Sequence, residues 1–282
     1  MQSECIKCLQ KQAERLFKKC HISDDARVEI TSRFSLFIKK NENEDLKTPE
    51  VTRYLYHLIA KASGVSDIYE KEKAEYNDLM LSLEDELRMA ISQSENPFYT
   101  ALKYALAGNV IDFAPGPNFD IFKALTNAAI REPAIDHSGM LHDELKKAGT
   151  VLYLGDNAGE IVTDKLFIET MKHKNLFFAV RGGNIINDIT EDDAIYIGMK
   201  KVARIISNGY DVPSTIPDKC SKRFQETYQK ADLIISKGQG NLEGLLNEKG
   251  KNIFFLLTVK CDVMAQLIGA QKNDLIVVRN SA

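Results

Sequence analysis

After residue 149, short apolar runs alternate with segments of helical pattern, and this alternation limits the possible folds to a few. The apolar runs are rich in Val, Ile, Leu and Phe, and most precede a segment with apolar residues at helical spacing. They predict strands at 151–154, 176–180, 203–206, 233–235, 253–259 and 275–278. Near-continuous apolar strands that alternate with helices are typical of a parallel sheet covered on both faces. This part of the chain therefore predicts an α/β fold.

The first half of the chain shows helical periodicity instead. Residues such as Leu9 and Leu16 recur at helical spacing, and Thr48 followed by Pro49 predicts a helix start. Further helical segments are predicted at 68–92, 98–107, 119–130 and 135–147. No run there alternates strictly enough to indicate a strand. We therefore expect an all-helical domain over 1–147 and an α/β domain over 148–282, with a boundary uncertain by a few residues.

Composition narrows the functional classes. The chain has 282 residues, of which 37 are Lys or Arg and 40 are Asp or Glu, so that the formal net charge is −3. This charge argues against non-specific binding of nucleic acid. No apolar run approaches the roughly 20 residues that cross a bilayer, and the polar, helical start does not resemble a signal peptide. We expect a cytoplasmic protein without nucleic-acid or membrane partners, and its five Cys do not predict a disulfide scaffold.

Glycine and polar residues follow five successive predicted strands. These segments are 155–160, 181–188, 207–209, 236–241 and Lys260. Ligands of open parallel α/β sheets bind at the carboxyl ends of the strands, and glycine lets the backbone approach a ligand closely. The sequence therefore predicts a binding site at this edge of the sheet.

Asp156, Asn157 and Asp188 supply oxygen donors at two of these strand ends. Two carboxylates and an amide carbonyl suit a divalent cation such as Mg²⁺ or Mn²⁺. Lys237 and Lys260 are predicted to neutralise a phosphate, and the start of the helix after Asn157 adds backbone N–H groups. A cation, lysines and backbone amides around one phosphoryl group indicate phosphoryl transfer or phosphate hydrolysis.

Purely structural interpretations compete with these roles. Asn157 with Glu160, and Thr190 with Asp193, have the spacing of a helix cap, and both lysines also fit solvated side chains. The segment 237–241 lacks the spacing of a P-loop or of a dinucleotide fingerprint. The turn after the first strand places an acid where a pyrophosphate would lie, which favours a metal over a dinucleotide.

Several motifs resemble the damage-control phosphatases, long known as domain of unknown function 89. The matching segments are 156–160, 187–190, 236–241 and Lys260, and in the helical half 107–112, 48–49, 67–69, Lys73 and Asn77. The Cys5-x-x-Cys8 start resembles the small, stand-alone archaeal and bacterial branch. The resemblance implies an all-helical domain packed on a Rossmann-like three-layer α/β/α domain with a mostly parallel sheet. It also implies a metal-dependent phosphatase of small phosphometabolites, such as sugar phosphates or damaged or excess intermediates.

The resemblance extends to individual residues. Asp156, Asn157 and Asp188 match the metal ligands, with Mg²⁺, Mn²⁺, Co²⁺ or Ni²⁺ as the expected ion. Lys260 matches a phosphate-binding lysine, and Asn241 matches an asparagine of the substrate loop. Other branches carry Arg where this chain has Glu243, so the substrate preference of those branches is not transferred to this chain.

The catalytic roles stay open at this point. Asp188 or Glu160 is expected to orient an attacking water, and a covalent route through Asp156 is the alternative. Asn109 and Asp112 of the helical domain are expected to contact the organic part of the substrate, because pockets form readily between domains.

Two other functions compete with a phosphatase. One eukaryotic member of the family has been described as a protein carboxyl methyltransferase, and a phosphometabolite-binding protein without catalysis would use the same scaffold. Cys5 and Cys8 are interpreted as small buried hydrophobic residues, with metal binding or redox chemistry as alternatives. The natural substrate and the oligomeric state are not predicted.

Overall fold

A computed structural model describes residues 2–42, 44, 46–108 and 121–280. Asn109 and Asp112 lie outside the described residues. The helices are α1 (Ser3–Lys19), α2 (Asp24–Lys40), α3 (Thr48–Ser63), α4 (Glu70–Ser82), α5 (Glu84–Gln93), α6 (Pro97–Ala107), α7 (Ile121–Ile130), α8 (Ser138–Lys147), α9 (Glu160–Met171), α10 (Glu191–Tyr196), α11 (Lys222–Lys230), α12 (Gly238–Leu245) and α13 (Asp262–Ile268). The strands are β1 (Ile135–Asp136), β2 (Val151–Leu154), β3 (Leu176–Val180), β4 (Arg204–Ser207), β5 (Leu233–Lys237), β6 (Ile253–Thr258) and β7 (Leu275–Arg279).

The strands form one sheet in the order β1-β7-β6-β5-β2-β3-β4. Neighbouring strands are parallel except for β6 and β7, which are antiparallel. The chain winds outward from β2 through β3 to β4 and then returns to the other side of β2 at β5. In open sheets this reversal leaves a crevice at the carboxyl ends of the strands. The mostly parallel, Rossmann-like sheet predicted from the sequence is thereby confirmed.

Helices cover both faces of the sheet. Along β2, Val151 and Tyr153 join one hydrophobic core while Leu152 and Leu154 join the other, because successive strand residues point to opposite faces. Helices α5 to α9 contribute to the first core, and α11, α12 and α13 contribute to the second. The buried strands therefore explain the near-continuous apolar runs in the sequence.

The helical half is less separate from the sheet than its sequence pattern indicates. Leu102, Leu125 and Leu141 of α6, α7 and α8 belong to the same core as the strands. Helices α1 to α3 form a core of their own, which includes Ile185 from the loop after β3. The segment expected as one helix over 135–147 is instead β1, which pairs in parallel with β7, followed by α8. A two-residue strand is too short to show an alternating pattern.

Other local differences have simple causes. The run 68–92 divides into α4 and α5 at Leu83. Lys47 rather than Thr48 is the N-cap of α3, with Pro49 in its first turn. Thr190 and Asp193 form the expected capping box of α10. Among the described residues, no helix combines the length and apolar character that a membrane span requires.

Candidate functional site

The turns after β2 and β3 lie side by side and bring two carboxylates together. The amide of Ile189 donates to the carbonyl of Asp156 at 3.0 Å, and that of Ala158 donates to the carbonyl of Asn187 at 3.0 Å. Asn157 and Asp188 also form an antiparallel bridge. Asp156 and Asp188 are both buried. The backbone thus fixes these two acids next to each other, as the sequence predicts for neighbouring strand ends.

Arg181, the first residue after β3, connects both carboxylates. Its Nε donates to Asp188 Oδ2 at 2.6 Å and its Nη2 donates to Asp156 Oδ1 at 3.4 Å. Its Nη1 donates to Asn241 Oδ1 at 3.0 Å. Arg181 is not among the site residues predicted from the sequence, although its position at a strand end, before Gly182, was a signal for one.

Burial and mutual repulsion act against ionisation of the two acids. Burial is the main reason that the pKa of Asp156 rises to about 7, and the charges of Asp188 and Glu160 add to the rise against Arg181. Burial also raises the pKa of Asp188, although Arg181 opposes this shift. One guanidinium therefore contacts two buried carboxylates. A further positive charge would favour ionisation of both acids.

The donor set fits a hard divalent cation. Asn157 Nδ2 donates to Asp156 Oδ2 at 2.8 Å and to Glu160 Oε2 at 3.1 Å, which turns the amide oxygen away from these acids. No cluster of three or more His, Cys, Asp or Glu side chains in the described ranges is arranged to hold an ion. The set as placed therefore consists of two carboxylates, which leave positions for water and substrate oxygens. The Asn157 oxygen would join them only after rotation of the side-chain amide.

A glycine makes room for the Asp156 carboxylate. Gly238, directly after β5, has φ +78° and would place a Cβ atom 1.9 Å from Asp156 Oδ2. Any other residue at this position would displace the carboxylate. The glycine after β5 therefore has a steric role at the candidate metal site.

Lys260 follows β6 and lines the same cleft as the two acids. Its side chain is exposed, and its charge lowers the pKa of both Asp156 and Asp188 against the effect of burial. Its backbone N–H donates to Gln239 Oε1 at 2.9 Å. This position agrees with a lysine that faces a bound phosphate.

Lys237 is buried behind the cleft, whereas its predicted phosphate-binding role requires a side chain that faces the cleft. Its fully buried ammonium donates to the carbonyl of Ala105 at 2.8 Å, to Asp164 Oδ1 at 2.5 Å and to Glu160 Oε1. Three acceptors use all three N–H groups of a lysine. Lys237 therefore sits behind the site and balances buried acids, because β5 extends far enough to turn its last side chain inward.

Glu160 and Asn241 lie behind the two acids and form hydrogen bonds to the residues around them. Glu160 is buried and contacts both Lys237 and Asn157. Asn241 Nδ2 donates to the carbonyls of Gly155 at 3.1 Å and Lys237 at 2.8 Å, while its Oδ1 accepts from Arg181. The surface of the cleft includes neither of these two side chains. Gly159, rather than Asn157, is the N-cap of α9.

A cleft of about 460 Å³ lies above the two acids. Its lining includes Asp156, Asn157, Asp188 and Lys260 from the strand ends, together with residues of α1, α3 and α12. Cys5 and Cys8 line its wall; Cys5 is half-buried and Cys8 is exposed, which differs from the buried hydrophobic role expected for both. Burial raises the pKa of the Cys5 thiol.

Known proteins are similar to this chain over most of its length. A family model described as the damage-control phosphatase ARMT1-like domain matches residues 1–276. A damage-control phosphatase of Pyrococcus horikoshii is 29% identical over 99% of this chain and 98% of its own length. An uncharacterised protein of Methanocaldococcus jannaschii is 31% identical over 98% and 94% of the two chains. A damage-control phosphatase of Archaeoglobus fulgidus is 31% identical over 80% and 79%.

A solved structure agrees with these sequence matches. The crystal structure of a DUF89 family protein from Pyrococcus horikoshii matches with a TM-score of 0.91 and 29% identity, and covers 100% of this chain and 99% of that one. The similarity includes the helices as well as the sheet that carries the two acids. Since a single family model covers nearly all residues and the fold agrees over the full length, this chain belongs to the damage-control phosphatase family.

Proposed function

We propose that this chain is a phosphatase that hydrolyses small phosphomonoesters with a divalent cation held by Asp156, Asn157 and Asp188. The observation that carries the proposal is the buried pair of carboxylates at the base of a cleft that also contains Lys260. A bound cation would offset both the burial and the repulsion that raise the pKa of Asp156. When present, the ion supplies Lewis-acid stabilisation of the phosphoryl oxygens. Mg²⁺, Mn²⁺, Co²⁺ and Ni²⁺ are the candidate ions.

The residues around the proposed cation have separate roles in the reaction. Lys260 offsets the charge of the phosphoryl group. Asp188 orients the attacking water, because Glu160 is engaged by Lys237 and does not line the cleft. Both oxygens of Asp156 accept hydrogen bonds, from Asn157 and Arg181, which favours a holding role over that of a nucleophile.

The size of the cleft supports a small organic substrate. A volume of about 460 Å³ lies in the range of small-molecule pockets.

We also propose a cytoplasmic location for the protein. All five cysteines are free thiols, as is usual in a reducing compartment.

Hydrolysis of p-nitrophenyl phosphate tests this function. Phosphate release is measured with EDTA and after each candidate ion is restored, for the wild type and for Asp156→Asn and Asp188→Asn. We expect EDTA and each substitution to reduce the rate by at least about 100-fold, the usual effect of removing a group that stabilises charge in the transition state. Asp143→Asn, which changes an exposed acid of α8, serves as the control. Full turnover without metal, or by either variant, contradicts the proposal.

A further inference from the structure

One acidic side chain on the wall of the cleft has no role in the steps above. Glu243 lies on α12, one turn after Gln239, and its side chain is half-buried. Lys47, at the start of α3, donates to the carbonyl of Gly244 and holds α3 against this end of α12. Glu243 also raises the pKa of Cys5, which lines the wall formed by α1. Glu243 therefore faces the part of the cleft where α12 meets the helical half.

Gln239 fixes Glu243 relative to Lys260. Its Nε2 donates to Glu243 Oε1 at 2.9 Å, and its Oε1 accepts the backbone N–H of Lys260 at 2.9 Å. The amide side chain thus joins the end of β6 to α12. A phosphate near Lys260 and an organic group near Glu243 would be held at a set separation.

The charges on the cleft wall are unequal. Among the described residues that line the cleft beyond the proposed metal ligands, Glu4, Glu243 and Asp262 are acidic, and Lys260 is the basic one. No ion pair between Glu243 and a basic side chain occurs among the described residues. A carboxylate has about four lone-pair positions, and the structure gives Glu243 a hydrogen bond from Gln239. It therefore retains capacity to accept hydrogen bonds from a ligand.

We propose that Glu243 selects substrates by the charge of their organic part. It favours phosphomonoesters that carry an ammonium group there and disfavours those with a second anionic group, while neutral hydroxyl-bearing esters lie between. A half-buried carboxylate forms a charge-assisted hydrogen bond to an ammonium group and repels a carboxylate at the same place. This inference rests on the proposed phosphatase function.

Three six-carbon phosphomonoesters of different charge test the proposal. Glucosamine 6-phosphate carries an ammonium group, glucose 6-phosphate is neutral apart from its phosphate, and 6-phosphogluconate carries a carboxylate. We expect the wild type to have the highest kcat/KM for the first and the lowest for the last. Glu243→Gln, which keeps the size and the acceptor for Gln239, should reduce the ratio of the two extremes by about tenfold or more, as expected for a charged hydrogen bond.

Asp262→Asn is the matched control, because it removes a charge from an exposed acid of the same cleft. An unchanged ratio in Glu243→Gln, or an equal change in Asp262→Asn, overturns the proposal. Thermal-shift titration of the same three esters gives their affinities independently of turnover. If neither p-nitrophenyl phosphate nor any of the esters is hydrolysed, the phosphatase function fails, but the order of affinities and its dependence on Glu243 still decide the charge selection.

Discussion

At the scale of single residues, Arg181 determines the geometry of the candidate site. Its guanidinium joins Asp156, Asp188 and Asn241, which follow three different strands. The planar fork of an arginine contacts several acceptors at once, which the single ammonium of a lysine does not reproduce. Two buried carboxylates share this one guanidinium, and the proposed cation site rests on that imbalance of charge.

Replacement of Arg181 by Met tests this charge balance. It leaves two buried carboxylates without their partner, and we expect the free energy of unfolding to fall by about 3–5 kcal/mol. Urea denaturation measures the loss. Because a divalent cation compensates the same two charges, Mn²⁺ should recover part of the stability. An identical loss with and without Mn²⁺ would argue against a shared cation site.

The two predicted phosphate lysines should behave differently. Lys237→Met removes the buried cation that contacts Glu160 and Asp164, and we expect a loss of about 3–5 kcal/mol in stability. Lys260→Met removes an exposed charge and should change stability by less than about 0.5 kcal/mol while raising KM for p-nitrophenyl phosphate. Thermal denaturation and steady-state kinetics on both variants check this. The reverse pattern would restore the phosphate-binding role to Lys237.

At the scale of elements, helix α4 positions the turn that carries Asp156 and Asn157. Asn77 Oδ1 accepts the backbone N–H of Gly159 at 2.8 Å, and its Nδ2 donates to Asp193 Oδ1 at 3.2 Å. Gly159 has φ +76°, a conformation that favours glycine. A helix from the first half of the chain thus fixes the start of α9.

The glycine after β5 gives a sharp test of this local geometry. In Gly238→Ala, the new Cβ collides with the Asp156 carboxylate. The rate of hydrolysis should therefore fall far more than the loss of folded protein alone would explain. Gly250→Ala is the control, since Gly250 has φ +71° and nothing within 4 Å of its Cβ position. Both variants carry the backbone cost of about 1–2 kcal/mol, and only Gly238→Ala adds the collision. Equal activity in both variants would remove Gly238 from the site.

The sequence predicted those features of the site that follow from the general geometry of parallel sheets. Parallel strands bring their carboxyl ends to one edge, so the meeting of Asp156 and Asp188 was predictable. The inward direction of Lys237 and the supporting roles of Glu160 and Asn241 depend on how elements pack, which local pattern does not encode. The position of Cys5 on the cleft wall also depends on packing. Periodicity identifies α1 as a helix, but it does not identify the element that the N-terminal turn of α1 faces.

At the level of the whole molecule, the cleft lies between the sheet edge and helices α1 and α3, which share a core with α2. Ile185, from the loop that leads to Asp188, is buried in the core of these helices. Arg53 of α3 donates to Asp211 Oδ1 at 2.6 Å and so ties the helices to the loop after β4. The shape of the cleft therefore depends on how the two parts pack together.

The Arg53–Asp211 contact makes this packing sensitive to acid. Burial opposes ionisation of Asp211, but Arg53, a backbone hydrogen bond and the charge of His57 together outweigh it and lower the pKa of the carboxyl below its ordinary 3.8. A lowered pKa in the folded state stabilises the protein above pH 3.8, and this contribution disappears as the pH falls through the lowered value. The pair is partly exposed, so Asp211→Asn should cost less than about 1 kcal/mol at pH 7. Urea denaturation at pH values from 7 down into the acid range should show this difference shrink below pH 3.8; a constant difference would contradict it.

Anomalous diffraction from crystals grown with Mn²⁺ and phosphate locates the cation and the phosphate. We expect one manganese peak within ligand distance of Asp156, Asn157 and Asp188, with phosphate density between that peak and Lys260. We expect no such peak in Asp188→Asn. Manganese bound elsewhere, or carboxylates that stay paired with Arg181 alone while phosphate binds, would rule out the proposed cation site.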